Sequence, residues 1–226
     1  MKAILLDAGS PATCHPITCT RPLASCTVAN RPLQDVQREQ LRKAGFRLGA
    51  ATGGEISLYV RGDAWLSTAA LAGLARARKP MVLRDAAGLA LAWIGTAPRP
   101  AGGIPAKADG DTFAVRYPWD LLRVNEYVLA QITRNQIAGR VSPGAHITGH
   151  LALGAGSRVL PGVYINGNVH IGRDCIIGPN CFIRGATSIG NGCHIGHAVE
   201  IKNSLIMDGV SIGHLSYCGD SVIGER

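Results

Sequence analysis

The chain has 226 residues, 46% of them hydrophobic and 17% charged, with a formal net charge of +8. That composition excludes a disordered or fibrous protein and allows one large core or two small ones. No run of eighteen apolar residues occurs, and MKAILLDAGSPA is too short and too acidic for a signal peptide, so no membrane partner and a cytoplasmic location are expected.

In chain order, KAILLDAG reads as a buried strand and PITCTRP as a loop. VANRPLQDVQREQLRKAGF reads as a connection followed by an amphipathic helix with Leu33, Val36, Leu41 and Phe46 inward. Arg38, Arg42, Lys43 and Arg47 fall at helical spacing, and Arg76, Arg78 and Lys79 cluster near a second helix end. No nucleic-acid motif or interleaved aromatics accompany them, so they read as solvated faces and no nucleic-acid partner is expected. Asp63 follows a strand in YVRGDAWLS and stands before LSTAALAGLARARK, where it reads as a helix cap. WDLLRVNEYVLAQITRN supplies a third helix, with Pro118 near its start and Leu121, Leu122, Val124, Val128 and Ile132 inward, suited to shielding one end of a stack.

From Val141 an aliphatic residue recurs every six positions, through Ile147, Leu153, Val159, Ile165, Ile171, Ile177, Ile183 and Ile189 to Ile195 and Ile201. Small or aliphatic residues follow four positions on: Ser157, Val163, Val169, Cys175, Cys181, Thr187, Cys193 and Val199. A helix repeats near 3.6 residues, so this is the hexad pattern of a parallel β-helix, three hexads to a triangular coil. Gly154, Gly172, Gly178, Gly190 and Gly196 are expected at corners that need backbone freedom without a Cβ clash. After Ile201 the frame slips by about one residue, which suggests an insertion or a re-aimed corner near His214, with Cys218 and Ile223 fitting less well. The seven cysteines are odd in number and form no CxxC pair, so packed, reduced thiols are expected. His194 and His197 are the one histidine pair whose spacing suggests a metal. Residues 141 to 226 hold five basic and five acidic groups, so the whole positive excess lies in residues 1 to 140.

CFIRGAT, HAVEIKNS and HLSYCGDSVIGE, with RYPWDLLRVNEY before the coils, resemble the bifunctional sugar-1-phosphate nucleotidyltransferase and amino-sugar-1-phosphate N-acetyltransferase family. The resemblance implies a shortened nucleotidyltransferase-like α/β domain over 1–116, a connecting or capping helix over 117–138, and a left-handed β-helix over 139–226. It implies a homotrimer and acetyl transfer from acetyl-CoA to the amine of glucosamine 1-phosphate or galactosamine 1-phosphate. Arg184, Lys202 and Tyr217 would hold the sugar phosphate, and His214 would be the general base. The chemistry is consistent, because imidazole takes up a proton near neutral pH and guanidinium and ammonium groups suit a phosphate dianion. The alternative is a non-catalytic sugar-phosphate or sugar-nucleotide binding module, or a trimeric scaffold, of the same descent.

The N-terminal segment departs from the family's GxGTRxRPLTxxxPK loop. Where that loop has its second glycine, its arginine and its lysine, this chain has Pro11, Thr13 and Leu23. Proline donates no N–H, and both cations that neutralise a triphosphate are absent. Nucleotidyl transfer is therefore expected to be lost, leaving a structural role that shields the first coil, although Asp63 retains the position of the family's Mg²⁺ ligand. The likeness also runs to the last residues, short of the coils that in relatives carry a further asparagine and the acetyl-CoA groove. The sequence is thus expected to be either a fragment or a natural short form.

Overall fold

A computed structural model describes residues 1–50 and 54–225. The chain divides into two compact units, Met1–Cys26 with Pro32–Arg116, and Thr27–Arg31 with Tyr117–Arg226.

The first unit is an α/β sheet. Its strands are β1 (Lys2–Leu5), β2 (Arg47–Leu48), β3 (Ser57–Val60), β4 (Met81–Arg84), β5 (Ala90–Gly95) and β6 (Ile104–Lys107). Their spatial order is β2-β1-β3-β5-β4-β6. β1 runs parallel to β2 and β3, and β4 to β6, while β5 is antiparallel to both of its neighbours. Helix α1 (Leu33–Lys43) buries Leu33, Val36, Gln37 and Leu41. Phe46 is buried as expected but lies beyond the helix, past a turn in which Gly45 has φ +86°. Gly45 N–H donates to Arg42 and Phe46 N–H to Leu41, so the last carbonyls are satisfied and Phe46 folds back onto the apolar side. The basic residues of α1 lie on its solvent side, where Arg38 pairs with Asp35 and Lys43 with Glu39.

The second unit is a three-sided parallel β-helix flanked by α3 (Asp120–Leu129). One face stacks Tyr164–Asn166 of strand Tyr164–Ile171 on Phe182–Arg184, Glu200–Lys202 and Tyr217–Gly219. A second stacks Val169–Ile171 on Thr187–Ile189, and Ser188–Ile189 in turn on Leu205–Ile206 and Val222–Ile223. The third runs from Arg140–Val141 through Arg158–Val159, Ile176–Ile177 and His194–Ile195 to Ser211–Ile212. The six-residue aliphatics form its core, fully buried from Leu153 to Ile201, with Val141 and Ile147 packed against it from the open end.

Two expectations are corrected here and a third, on the glycines, is met in part. The frame slip is a one-residue shortening, not an insertion. Ile183 pairs with Ile201 eighteen residues on, but Ile189 pairs with Ile206 only seventeen on. The deletion falls at Asn203–Ser204, well before His214, and once it is allowed for Cys218 sits in the inward column opposite Ile201 and Ile223 opposite Ile206. The hexad glycines do avoid a Cβ clash, as expected, but none of them lies in the left-handed region. A Cβ on Gly154 would lie 2.5 Å from Gly172 backbone and one on Gly178 2.6 Å from the Gly196 carbonyl, so what these positions require is close approach of successive coils. Finally, α3 lies along the second face, against strands Tyr164–Ile171, Thr187–Ile189 and Leu205–Ile206, and does not cover the first coil, whose Ile137 is exposed. Its buried residues are Leu121, Val124, Asn125 and Leu129, at i, i+3, i+4 and i+8. Leu122, Val128 and Ile132 are only partly buried, because the true stripe runs through a polar residue that hydropathy passes over.

Candidate functional site

The first face of the β-helix carries Arg184, Glu200 and Lys202, with Asp220 at its edge. Alternation along a strand turns Ile183, Ile201 and Cys218 inward, so their neighbours on either side face out. Two outward columns result. One runs Asn166, Arg184, Lys202, Gly219; the other runs His146, Tyr164, Phe182, Glu200, Tyr217. Arg184 is therefore directly opposite Lys202, and Tyr217 belongs to the neighbouring column, beside Glu200 and 62% exposed.

Neither cation is free. Arg184 grips one carboxylate oxygen of Glu200 with both Nε, at 2.8 Å, and Nη2, at 2.7 Å. Its guanidinium carbon also lies 5.6 Å from the centre of the Phe182 ring. Lys202 Nζ is 2.9 Å from Asp220 Oδ2, and Asn203 Nδ2 donates to the other Asp220 oxygen at 3.1 Å. Those hydrogen bonds hold the Asp220 carboxyl below the ordinary carboxylate range. Asn203 and Asp220 occupy the corner taken in earlier coils by Gly149, Gly167 and Gly185, all with positive φ. Asparagine and aspartate tolerate that conformation and add a polar side chain to the corner. The sequence reading found neither Glu200 nor Asp220. The available signal was that Glu200 shares an outward side with Lys202 two positions on, and that Asp220 follows Lys202 by eighteen residues, three nominal hexads.

His214 lies on the corner at the opposite end of strand Tyr217–Gly219 from Asp220 and is exposed. From His214 to the position opposite Lys202 is five residues, at most about 17 Å of chain. Its corner column reads Pro161, Pro179, His197, His214. Proline has no N–H, so the change to His197 creates a new amide donor, and His214 Nδ1 accepts it at 2.8 Å. The two rings lie with centroids 4.4 Å apart. In this orientation the neutral ring carries its proton on Nε2. His197 is thus partnered with His214 and not with His194, which sits on a strand opposite Ile176 and Ser211. Among the described residues no group of three histidine, cysteine, aspartate or glutamate side chains is placed to hold a metal.

Asp63 is bound up elsewhere. Both of its carboxylate oxygens are taken by Arg61, Nε at 2.8 Å and Nη2 at 2.6 Å. A Mg²⁺ ion there would have to displace this fork, so the residues present do not fit the ion. Nor does Asp63 cap α2 (Thr68–Arg76). Ser67 does, accepting the Ala70 N–H at 2.9 Å, because strand Ala64–Trp65 separates Asp63 from the helix start.

The inward thiols are packed. Cys175 and Cys181 each donate to a carbonyl of the next coil at 2.9 Å, those of Gly190 and Gly196, and burial pushes the Cys181 thiol up.

A family model described as the GMPPB C-terminal domain matches residues 160–226. A bifunctional protein GlmU of Methanocaldococcus jannaschii is 42% identical over 120 residues, 53% of this chain and 29% of that protein. One from Methanococcus maripaludis strain C7 is 55% identical over 112 residues, 50% of this chain and 27% of that protein. The chain therefore spans less than a third of the curated relatives it matches. A mutant of perosamine N-acetyltransferase from Caulobacter crescentus, solved with CoA and GDP-perosamine, aligns over 98% of this chain and 87% of that one at 15% identity, with a TM-score of 0.23.

Proposed function

We propose, from kinship with the bifunctional sugar-1-phosphate nucleotidyltransferase/acetyltransferases over the C-terminal half, that this chain is an amino-sugar-1-phosphate N-acetyltransferase. The observation that carries the reading is the register of Arg184 on Lys202, which puts two cations on adjacent rungs beside Tyr217 and on the same strand face as the His214 corner. Acetyl-CoA is the cosubstrate, and glucosamine 1-phosphate or galactosamine 1-phosphate the acceptor. Arg184 and Lys202 hold the phosphate, and the exposed Tyr217 hydroxyl orients the sugar. The amine lone pair attacks the thioester carbonyl, forming the C–N bond, and the C–S bond breaks to release CoA. The proton lost from nitrogen passes to His214. In the orientation described only Nδ1 can receive it, so His214 gives up the His197 N–H when it acts. The assembly proposed is a homotrimer, and the location the cytoplasm; among the described residues no helix is long and apolar enough to cross a membrane.

The α/β unit has no part in this chemistry. Pro11, Thr13 and Leu23 remove the donors and cations a triphosphate needs, and Arg61 occupies Asp63. We infer that nucleotidyl transfer is lost.

A second reading, a non-catalytic sugar-phosphate binding module or trimeric scaffold, is favoured by the occupied Nδ1 of His214 and the paired cations. Thiol release from acetyl-CoA with glucosamine 1-phosphate separates the two. His214→Ala is expected to lower turnover by roughly 100-fold or more while leaving acceptor binding intact. Acceptor binding by the unaltered chain with no thiol release gives the second reading.

A further inference from the structure

The two cations of the proposed acceptor site are matched by two carboxylates on the same face, so the formal charge of Arg184, Lys202, Glu200 and Asp220 cancels. The contacts have the form a phosphate would make: an Arg fork closing on one oxygen, and an ammonium on another. We propose that Glu200 and Asp220 are intramolecular placeholders for the phosphate oxygens, and that an anionic ligand enters by exchange, displacing both carboxylates from Arg184 and Lys202. The inference rests on the acceptor-site reading of these cations and adds the step by which the site opens.

Three observations carry it. Both pairs are solvent-accessible, with side-chain exposures of 37% and 36% for Arg184 and Glu200, and 32% and 57% for Lys202 and Asp220, so exchange needs no unfolding. Glu200 stands in the aromatic column, between Phe182 and Tyr217, and reaches across to the cationic one. The shortened corner at Asn203–Ser204 sets Asp220 beside Lys202, with Asn203 fixing the carboxylate's second oxygen. Solvent screens exposed ion pairs such as these, so the two pairs set only a modest threshold, which a dianion overcomes and a weak monoanion does not.

The test titrates inorganic phosphate into the full chain by calorimetry, comparing the unaltered protein with Glu200→Gln, Asp220→Asn and the double variant. Each amide keeps the side-chain shape and removes the competing charge. The double variant is expected to bind phosphate about tenfold more tightly than the unaltered chain, each single variant falling between, and adding Arg184→Gln to the double variant should abolish the gain. Unchanged or weaker binding in the double variant overturns the inference, as does a gain that survives loss of Arg184. Absence of phosphate binding in every variant overturns both this inference and the acceptor-site reading. Acetyl transfer, measured separately, keeps the two apart. Turnover with unchanged phosphate affinity leaves the function standing and removes the placeholders. A tenfold gain without turnover does the reverse.

Discussion

The carboxamide of Asn125, fully buried on α3, joins three stretches of the second unit. Its Oδ1 accepts the Ala29 N–H and the Ser188 hydroxyl, each at 2.8 Å, and its Nδ2 donates to the Ala186 carbonyl at 3.1 Å. Asn125→Ala would strand a backbone donor and an acceptor inside the protein, and is expected to cost about 2 to 4 kcal/mol, read as a lowered urea midpoint. Nothing in the sequence marked this residue, since a lone asparagine in an apolar helix reads as surface. The same limit applied at the proposed site. Arg184 and Lys202 could be brought together on paper because one coil is three hexads, whereas the partnership of Lys202 with Asp220, or of His197 with His214, depends on side-chain direction and on a seventeen-residue coil.

Between elements, what repeats is legible and what interrupts the repeat is not. Each hexad states the same packing requirement, so the inward column from Leu153 to Ile201 could be written down before any coordinates existed. The one-residue deletion after Ile201 appeared in the sequence only as lost phase, and coordinates were needed to show that Cys218 simply continues the column. The glycines belong with the repeat: their spacing was legible, and so was their purpose of avoiding a Cβ clash. Gly178→Ala tests that purpose. Its Cβ would meet the Gly196 carbonyl at 2.6 Å, backbone that cannot turn aside, and a loss of about 1 to 3 kcal/mol is expected by chemical denaturation. Were φ the requirement instead, alanine here would be harmless, because Gly178 does not lie in the left-handed region.

For the molecule as a whole, the chain leaves the first unit at Thr27, contributes five residues to the second and returns at Pro32. No composition shift announces this excursion, whose value lies in contacts made 96 residues later, at Asn125, and 159 residues later, at Ile189. His170 records it. Burial lowers the pKa of its imidazole and repulsion from Arg31 adds to this, while a hydrogen bond with the Ala29 backbone opposes them. A histidine depressed in the folded state binds protons more readily when unfolded, so its contribution is fully present above the unfolded value of about 6.5 and is lost as the pH falls through that value toward the folded one. Thermal midpoints measured across pH 5 to 8 should therefore fall on the acid side, and His170→Gln should flatten that limb.

The sulfurs inside the β-helix have a consequence of their own. Cys175, Cys181 and Cys193 are at most 1% exposed, and each is capped by a carbonyl of the next coil, while Cys19 is open to solvent. An alkylating reagent finds Cys19 at once but meets the other three only when neighbouring rungs part. The gap between fast and slow labelling is a built-in clock for breathing of the prism.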